Sequence, residues 1–197
     1  MSSHFEPLKG GGAAVALDEV EISILRSLAV QLLELIGPGD EPVQGDDPLA
    51  ALFAEGPSEP PSDPALARLF PEAYQGPGAD RADEELRARS AEFRRFTEAD
   101  LRTRKREDAL AVVRSLDALT PAGDGGAVLE LRAEDCRHWL GALNDLRLTI
   151  GTRLEVGDED DNEELYRLPD EDPRKPMVMA YLWLGALQET LVETLSP

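Results

Sequence analysis

Apolar residues recur every three to four positions along several long stretches of this chain, and shorter stretches between them lose that rhythm. After Asp18, the residues Ile22, Leu25, Leu28, Ala29, Leu32 and Ile36 place one apolar stripe on a helix that Gly37-Pro38-Gly39 stops. Asp18 suits an N-cap, and Glu21 three residues on completes a capping box. Before it, Phe5–Lys9 and Ala13–Leu17 flank Gly10–Gly12 in the pattern of a short hairpin. No Gly-Lys-Ser/Thr follows those glycines, so they are read as a turn, not as a phosphate cradle. The islands DPLAALF (Asp47–Phe53) and DPALARLFPEAY (Asp63–Tyr74) predict two short helices clamping their aromatics onto the core.

Asp80 opens a further helix with Leu86, Phe93 and Phe96 on one side. Thr97 with Asp100 reads as a fresh N-cap, which predicts a break or kink there. The continuation aligns Ala109, Val112, Val113, Leu116 and Leu119 before Thr120-Pro121 ends it. Ala127–Arg132 alternates like a strand that joins the hairpin, and a helix follows from about Ala133 without a good capping residue. Pro173 or Pro176 opens the last helix, whose MVMAYLWLGAL is apolar nearly all round and marks it as central. The expected fold is mainly α with a small β-sheet: a helical bundle around a central apolar C-terminal helix, with a minor N-terminal hairpin plus one strand.

The 197 residues suit a single helical domain spanning 1–197. Within it a mobile Pro/Gly/acidic linker is expected at about 37–64 and an acidic loop at about 155–173. No window has the roughly 18 uncharged apolar residues of a membrane span, and no leader pattern opens the chain. With Cys136 as the single cysteine, a reducing cytoplasm is the expected setting.

The helix around Trp139–Leu154, WLGALNDLRLTIGTRL, sets polar residues into an oily face. With Leu143 at zero on a helical wheel, Cys136, Trp139, Leu140, Leu146, Ile150 and Leu154 fall within about 60° either side, and Arg147 falls at about 40°, inside the arc. A buried guanidinium needs a partner. Glu21 and Gln188 each lie about 40° from the apolar axis of their own helices, so the favoured network is Glu21 to Arg147 with Gln188 nearby. The alternative leaves Glu21 in its capping box and lets Arg147 snorkel to solvent. Asn144 and Asp145 flank the arc and, with Arg153, complete the set Glu21, Asn144, Asp145, Arg147, Arg153 and Gln188. Gly151 and Gly185 sit beside their arcs, where the two helices could approach closely.

ALNDLRLTIGTRL, together with DPLAALF, LARLFPEAY and the closing YLWLGALQETL, resembles a family of small actinobacterial proteins catalogued as domain of unknown function two thousand and seventeen. The resemblance spans nearly the whole chain, and Asn144–Leu148 with Gly151–Leu154 is its most specific part. The family has no established activity, so it implies no residue-level role. Some members carry the label transcriptional regulator, and their genes lie beside that of ClpS, the adaptor of Clp proteolysis. The resemblance thus implies a regulatory role with a link to proteolysis or to nearby sulfur metabolism.

Charge narrows the function classes. The net charge of −20 opposes a polyanionic ligand, so nucleic acid is not the expected partner. Nine basic against six acidic residues between Arg81 and Arg106 give a local balance of +3, whereas Glu155–Asp172 carries ten acidic residues against one Arg. The basic segment reads as a salt-laced helix, as a partner surface built on Arg94, Arg95, Arg102, Arg104, Lys105 and Arg106, or as a nucleic-acid contact. Cys136 and His138 are too closely spaced to share a metal ion, and counting a calcium loop from Asp158 puts Glu163 where a glycine belongs. No G-x-S-x-G elbow is present, and two histidines leave little for a general base. The expectation is a non-catalytic adaptor or regulator that meets another protein and needs no cofactor or metal. The competing expectation is a DNA-binding regulator of winged-helix type.

Overall fold

A computed structural model describes residues 3–38, 56–74, 84–120, 125–157, 165 and 167–196. The expected helix at Asp47–Phe53, the opening of a helix at Asp80 and most of the acidic loop lie outside them. A three-stranded antiparallel sheet, β1 (Glu6–Pro7), β2 (Ala13–Leu17) and β3 (Ala127–Leu131), has strand order β1-β2-β3. Five helices accompany it among the described residues: α1 (Glu19–Ile36), α2 (Pro64–Leu69), α3 (Glu84–Asp117), α4 (Ala133–Arg153) and α5 (Lys175–Leu195). The architecture is mainly α with a minor sheet, as the periodicity predicts.

Local chemistry accounts for most of the element ends. Gly10, Gly11 and Gly12 all take positive φ in the hairpin turn, and a side chain at Gly12 would run into the Leu131 carbonyl of β3. Pairing of Ala13 with Leu131 and of Leu17 with Ala127 turns Ala13, Val15, Leu17, Leu129 and Leu131 onto one buried face. Asp18 caps α1: its Oδ1 accepts from the Glu21 amide at 2.8 Å, and Glu21 Oε2 accepts from the Asp18 amide at 2.9 Å. Asp63 caps α2 in the same way, accepting from Ala65 and Leu66. Helix α4 starts at Arg132 without a side-chain cap, as its sequence suggests. It ends in a Schellman arrangement, where the Val156 amide donates to Gly151 O and the Glu155 amide to Thr152 O. Glu155 holds the left-handed position at φ 57° that glycine would ordinarily fill.

Helix α4 is the hub. It packs on α3, α5, α2 and α1, and it buries Cys136, Trp139, Ala142, Leu143, Leu146 and Ile150. The last helix is not the central rod its composition suggests. Val178, Leu184, Leu187 and Leu191 of α5 are buried against α4, while Met177, Met179 and Val192 are exposed. Phe5 stands edge-on to Trp139, ring centroids 6.0 Å apart, and its amide donates to Thr190 Oγ1 at 3.0 Å, so β1 is seated on α5.

Two expectations for α3 are overturned. The helix runs through Thr97 unbroken over 34 residues, and the Thr97 hydroxyl donates to the Phe93 carbonyl at 2.8 Å instead of capping a new start. Phe93 and Phe96 are exposed, not packed. The buried stripe of this half is polar instead: Ser90, Arg94 and Glu98 continue the line of Ala109, Val112 and Leu116.

Candidate protein-docking surface

Four of the six cations between Arg94 and Arg106 are spent inside the molecule. Arg94 is 5% exposed, pairs with Glu98, and both terminal nitrogens donate to the Phe70 carbonyl at the end of α2, at 3.3 and 3.2 Å. Arg102 donates to the Ile36 carbonyl and to Glu98 at 2.8 Å, and its guanidinium lies 4.5 Å from the centre of the Phe70 ring. Arg106 donates to the Gly37 carbonyl and, at 3.5 Å, to that of Leu33. Three guanidiniums therefore close the C-terminal ends of α1 and α2, where orphan carbonyls and the negative end of the helix dipole favour cations. Lys105 crosses to α4 and meets Asp145 Oδ1 at 2.6 Å. Arg95 is half-buried, and Arg104 is exposed. The reading of Arg94, Arg102, Lys105 and Arg106 as a partner surface is thereby corrected. These side chains fall within about 120° of one another around the helix, as the residues of a solvated face would, so spacing alone does not reveal that they point inward.

The polar set of α4 divides. Arg147 Nη1 donates to Gln188 Oε1 at 2.7 Å, and its guanidinium lies 5.2 Å from the centre of the Tyr181 ring, so α4 and α5 are joined by an amide and an aromatic face. Arg147 Nε is buried without a hydrogen-bond partner. The pairing of Glu21 with Arg147 is overturned: Glu21 serves its capping box and accepts from Ser3 Oγ at 2.5 Å. Asp145 is buried against Lys105, with Asn144 exposed beside it and also bonded to it. Burial pushes the Asp145 carboxyl up, against the opposing pull of Lys105. Arg153 is exposed and lies outside both groups. Gly151 and Gly185 serve the α4–α5 contact by each making room for a side chain of the other helix. The Tyr181 ring covers Gly151, and the Arg147 guanidinium covers Gly185.

Cys136 is fully buried, and burial pushes its thiol up, away from the reactive thiolate. His138 Nδ1 donates to Asp108 Oδ1 at 2.7 Å, across the α3–α4 contact that Gly141 permits; a side chain at Gly141 would strike Asp108.

With the basic face accounted for, the exposed apolar surface stands out. The first turns of α1 and the outer side of α5 enclose a groove of about 790 Å³ lined by Ile24, Met179, Ala180, Trp183 and Ala186, with Glu21 at its edge. Ile24 and Met179 are 40% and 55% exposed. Trp183 Nε1 is buried and has no hydrogen-bond partner. Leu182 and Ala186 also border a polar cleft holding Arg147, Gln188, Glu189 and Glu193. A second apolar patch, at Phe93, is smaller: its cavity is about 200 Å³, and Tyr74 stands edge-on over the ring. The groove is not apparent from the sequence pattern, in which every apolar residue of α5 reads as core. The signal available was the excess itself, since a helix apolar all round at the margin of a small bundle has more apolar faces than neighbours.

Among the described residues no helix is long and apolar enough to cross a membrane. The chain is 31% identical over 178 residues to proteins named oxidative stress regulator AosR in Mycobacterium tuberculosis and Mycobacterium bovis, covering 87% of this chain and 77% of theirs. It is 32% identical, with the same coverage, to a Mycobacterium leprae protein named putative oxidative stress regulator AosR. No solved structure matches it. The model of the family described as domain of unknown function (DUF2017) matches residues 2–195, and the chain belongs to that family.

Proposed function

We propose that this protein is a cytoplasmic, non-enzymatic regulator that acts by holding another protein on the groove between α1 and α5. The carrying observation is the apolar groove itself, which leaves Ile24 and Met179 open to solvent beside Trp183 and Ala186. The names of the mycobacterial relatives support a regulatory role. Direct sensing of oxidant by this chain is disfavoured on chemical grounds, because its one thiol is buried, pushed away from the thiolate, and has no second cysteine with which to form a disulfide. A regulator built this way works through contacts. An adaptor for Clp proteolysis is a finer version of the same proposal, since an adaptor needs a docking surface of this kind.

The competing DNA-binding role loses its main support, because Arg94, Arg102, Lys105 and Arg106 are committed to carbonyls and carboxylates of the chain itself. The test is site-specific photo-crosslinking in cells of the source organism. A photoreactive residue at Met179 is expected to trap one protein reproducibly, and the same residue at Arg104 is not. Equal trapping at both sites, or a salt-sensitive gel shift with duplex DNA, would overturn the proposal.

A further inference from the structure

We infer that the groove between α1 and α5 receives a cationic amphipathic helix of the partner, its apolar stripe on Ile24, Met179 and Trp183 and its Lys or Arg residues against the surrounding carboxylates. This rests on the docking role proposed above and assigns the chemistry of the occupant. The groove follows α5 from Pro176 to Ala186, a length of about 15 Å, which accommodates about three turns of helix with anchors at i, i+4 and i+7. A methionine and an indole form much of its wall, and thioether side chains adapt to a helix ridge without a matching notch.

Charge selects the kind of helix. Glu21, whose carboxylate also accepts from Ser3 and the Asp18 amide, lines the groove on α1, and Glu189 and Glu193 line the cleft that shares Leu182 and Ala186 with it. The cations nearby are committed elsewhere. Lys175 donates to the Leu168 carbonyl at 2.7 Å, Arg174 pairs with Asp172 at 3.0 Å, and Arg147 is engaged by Gln188 and Tyr181. A second copy of the chain is a poor occupant, because it would bring another −20 of charge to the same surface. A helix with a basic flank complements this wall and is drawn toward it by the whole molecule's field.

The experiment uses two labelled helical peptides with one apolar stripe, the remaining positions Lys in one and Glu in the other, titrated into the full chain by fluorescence anisotropy. The Lys peptide is expected to bind, to weaken as salt rises, and to move the emission of Trp183. The Glu peptide is expected to bind at least about tenfold more weakly. The double substitution Ile24→Ser/Met179→Ser, at two solvent-facing positions, should weaken the Lys peptide about tenfold or more while leaving the melting temperature nearly unchanged. Equal or stronger binding of the Glu peptide would overturn the charge assignment and leave the docking role standing. Failure of both peptides, with cross-linking at Met179 intact, would show that the occupant is not such a helix. Self-association abolished by the double substitution would give the groove to a second copy.

Discussion

Glu98 is 4% exposed and receives Arg94 on one oxygen and Arg102 on the other, so one carboxylate balances two guanidiniums beneath α2. Removing it leaves a buried cation unpaired, and Glu98→Ala is expected to cost about 3–5 kcal/mol in urea unfolding. Arg147 is the contrasting case. It meets only a neutral amide and a ring, and its Nε is unsatisfied, so Arg147→Met should lie within about 1 kcal/mol of the parent or above it. Glu155 holds a left-handed conformation that costs an L-residue about 1 kcal/mol, and Glu155→Gly is expected to raise stability by about 0.5–1 kcal/mol. Asp145 sets a pH dependence of uncommon sign. Its folded-state carboxyl is raised by burial, so the folded chain holds that proton more tightly than the unfolded one, and stability falls as pH rises from the ordinary value of 3.8 through the folded one. The stability of the parent minus that of Asp145→Asn should therefore be greatest in acid and decline with pH. A difference that grows with pH would mean that Lys105 outweighs burial.

At the scale of elements, the helices and the sheet were largely legible, because apolar period, caps and turn glycines agree at α1, α2, β2, β3 and α4. The capping box at Asp18 and Glu21 and the uncapped start of α4 could both be read from sequence. What escaped is the inward face of α3. A wheel drawn from apolar residues finds Phe93 and Phe96, whereas the stripe that α2 and the end of α1 cover is Ser90, Arg94 and Glu98. Periodicity reports hydrophobicity, and a buried guanidinium that completes another helix's carbonyls carries none. The same blindness placed Glu21 opposite Arg147, since a wheel gives direction within one helix but not which helix faces it. The guanidinium clasp has its own signature: Arg102→Ala/Arg106→Ala should fray the last turn of α1, speeding amide exchange at Ile36 and Gly37 and costing about 1–3 kcal/mol.

For the whole molecule, the balance of charge outweighs any single pair. A chain at −20 whose inward cations are already engaged repels itself. Raising sodium chloride from about 0.02 M to about 0.3 M should raise the melting temperature, whereas a protein held by surface ion pairs would soften. The docking groove lies on the same acidic body, so its partner should associate faster at low salt even as the host becomes less stable.

The hydrogen bond from Phe5 to Thr190 joins positions 185 residues apart, so the strand that follows Phe5 is held by β2 on one side and by α5 on the other. A ribosome emits that strand well before the helix. Every nascent copy therefore carries an unseated Phe5 until α4 and α5 have followed it, and this corner of the fold is sealed only after α5 has cleared the exit tunnel.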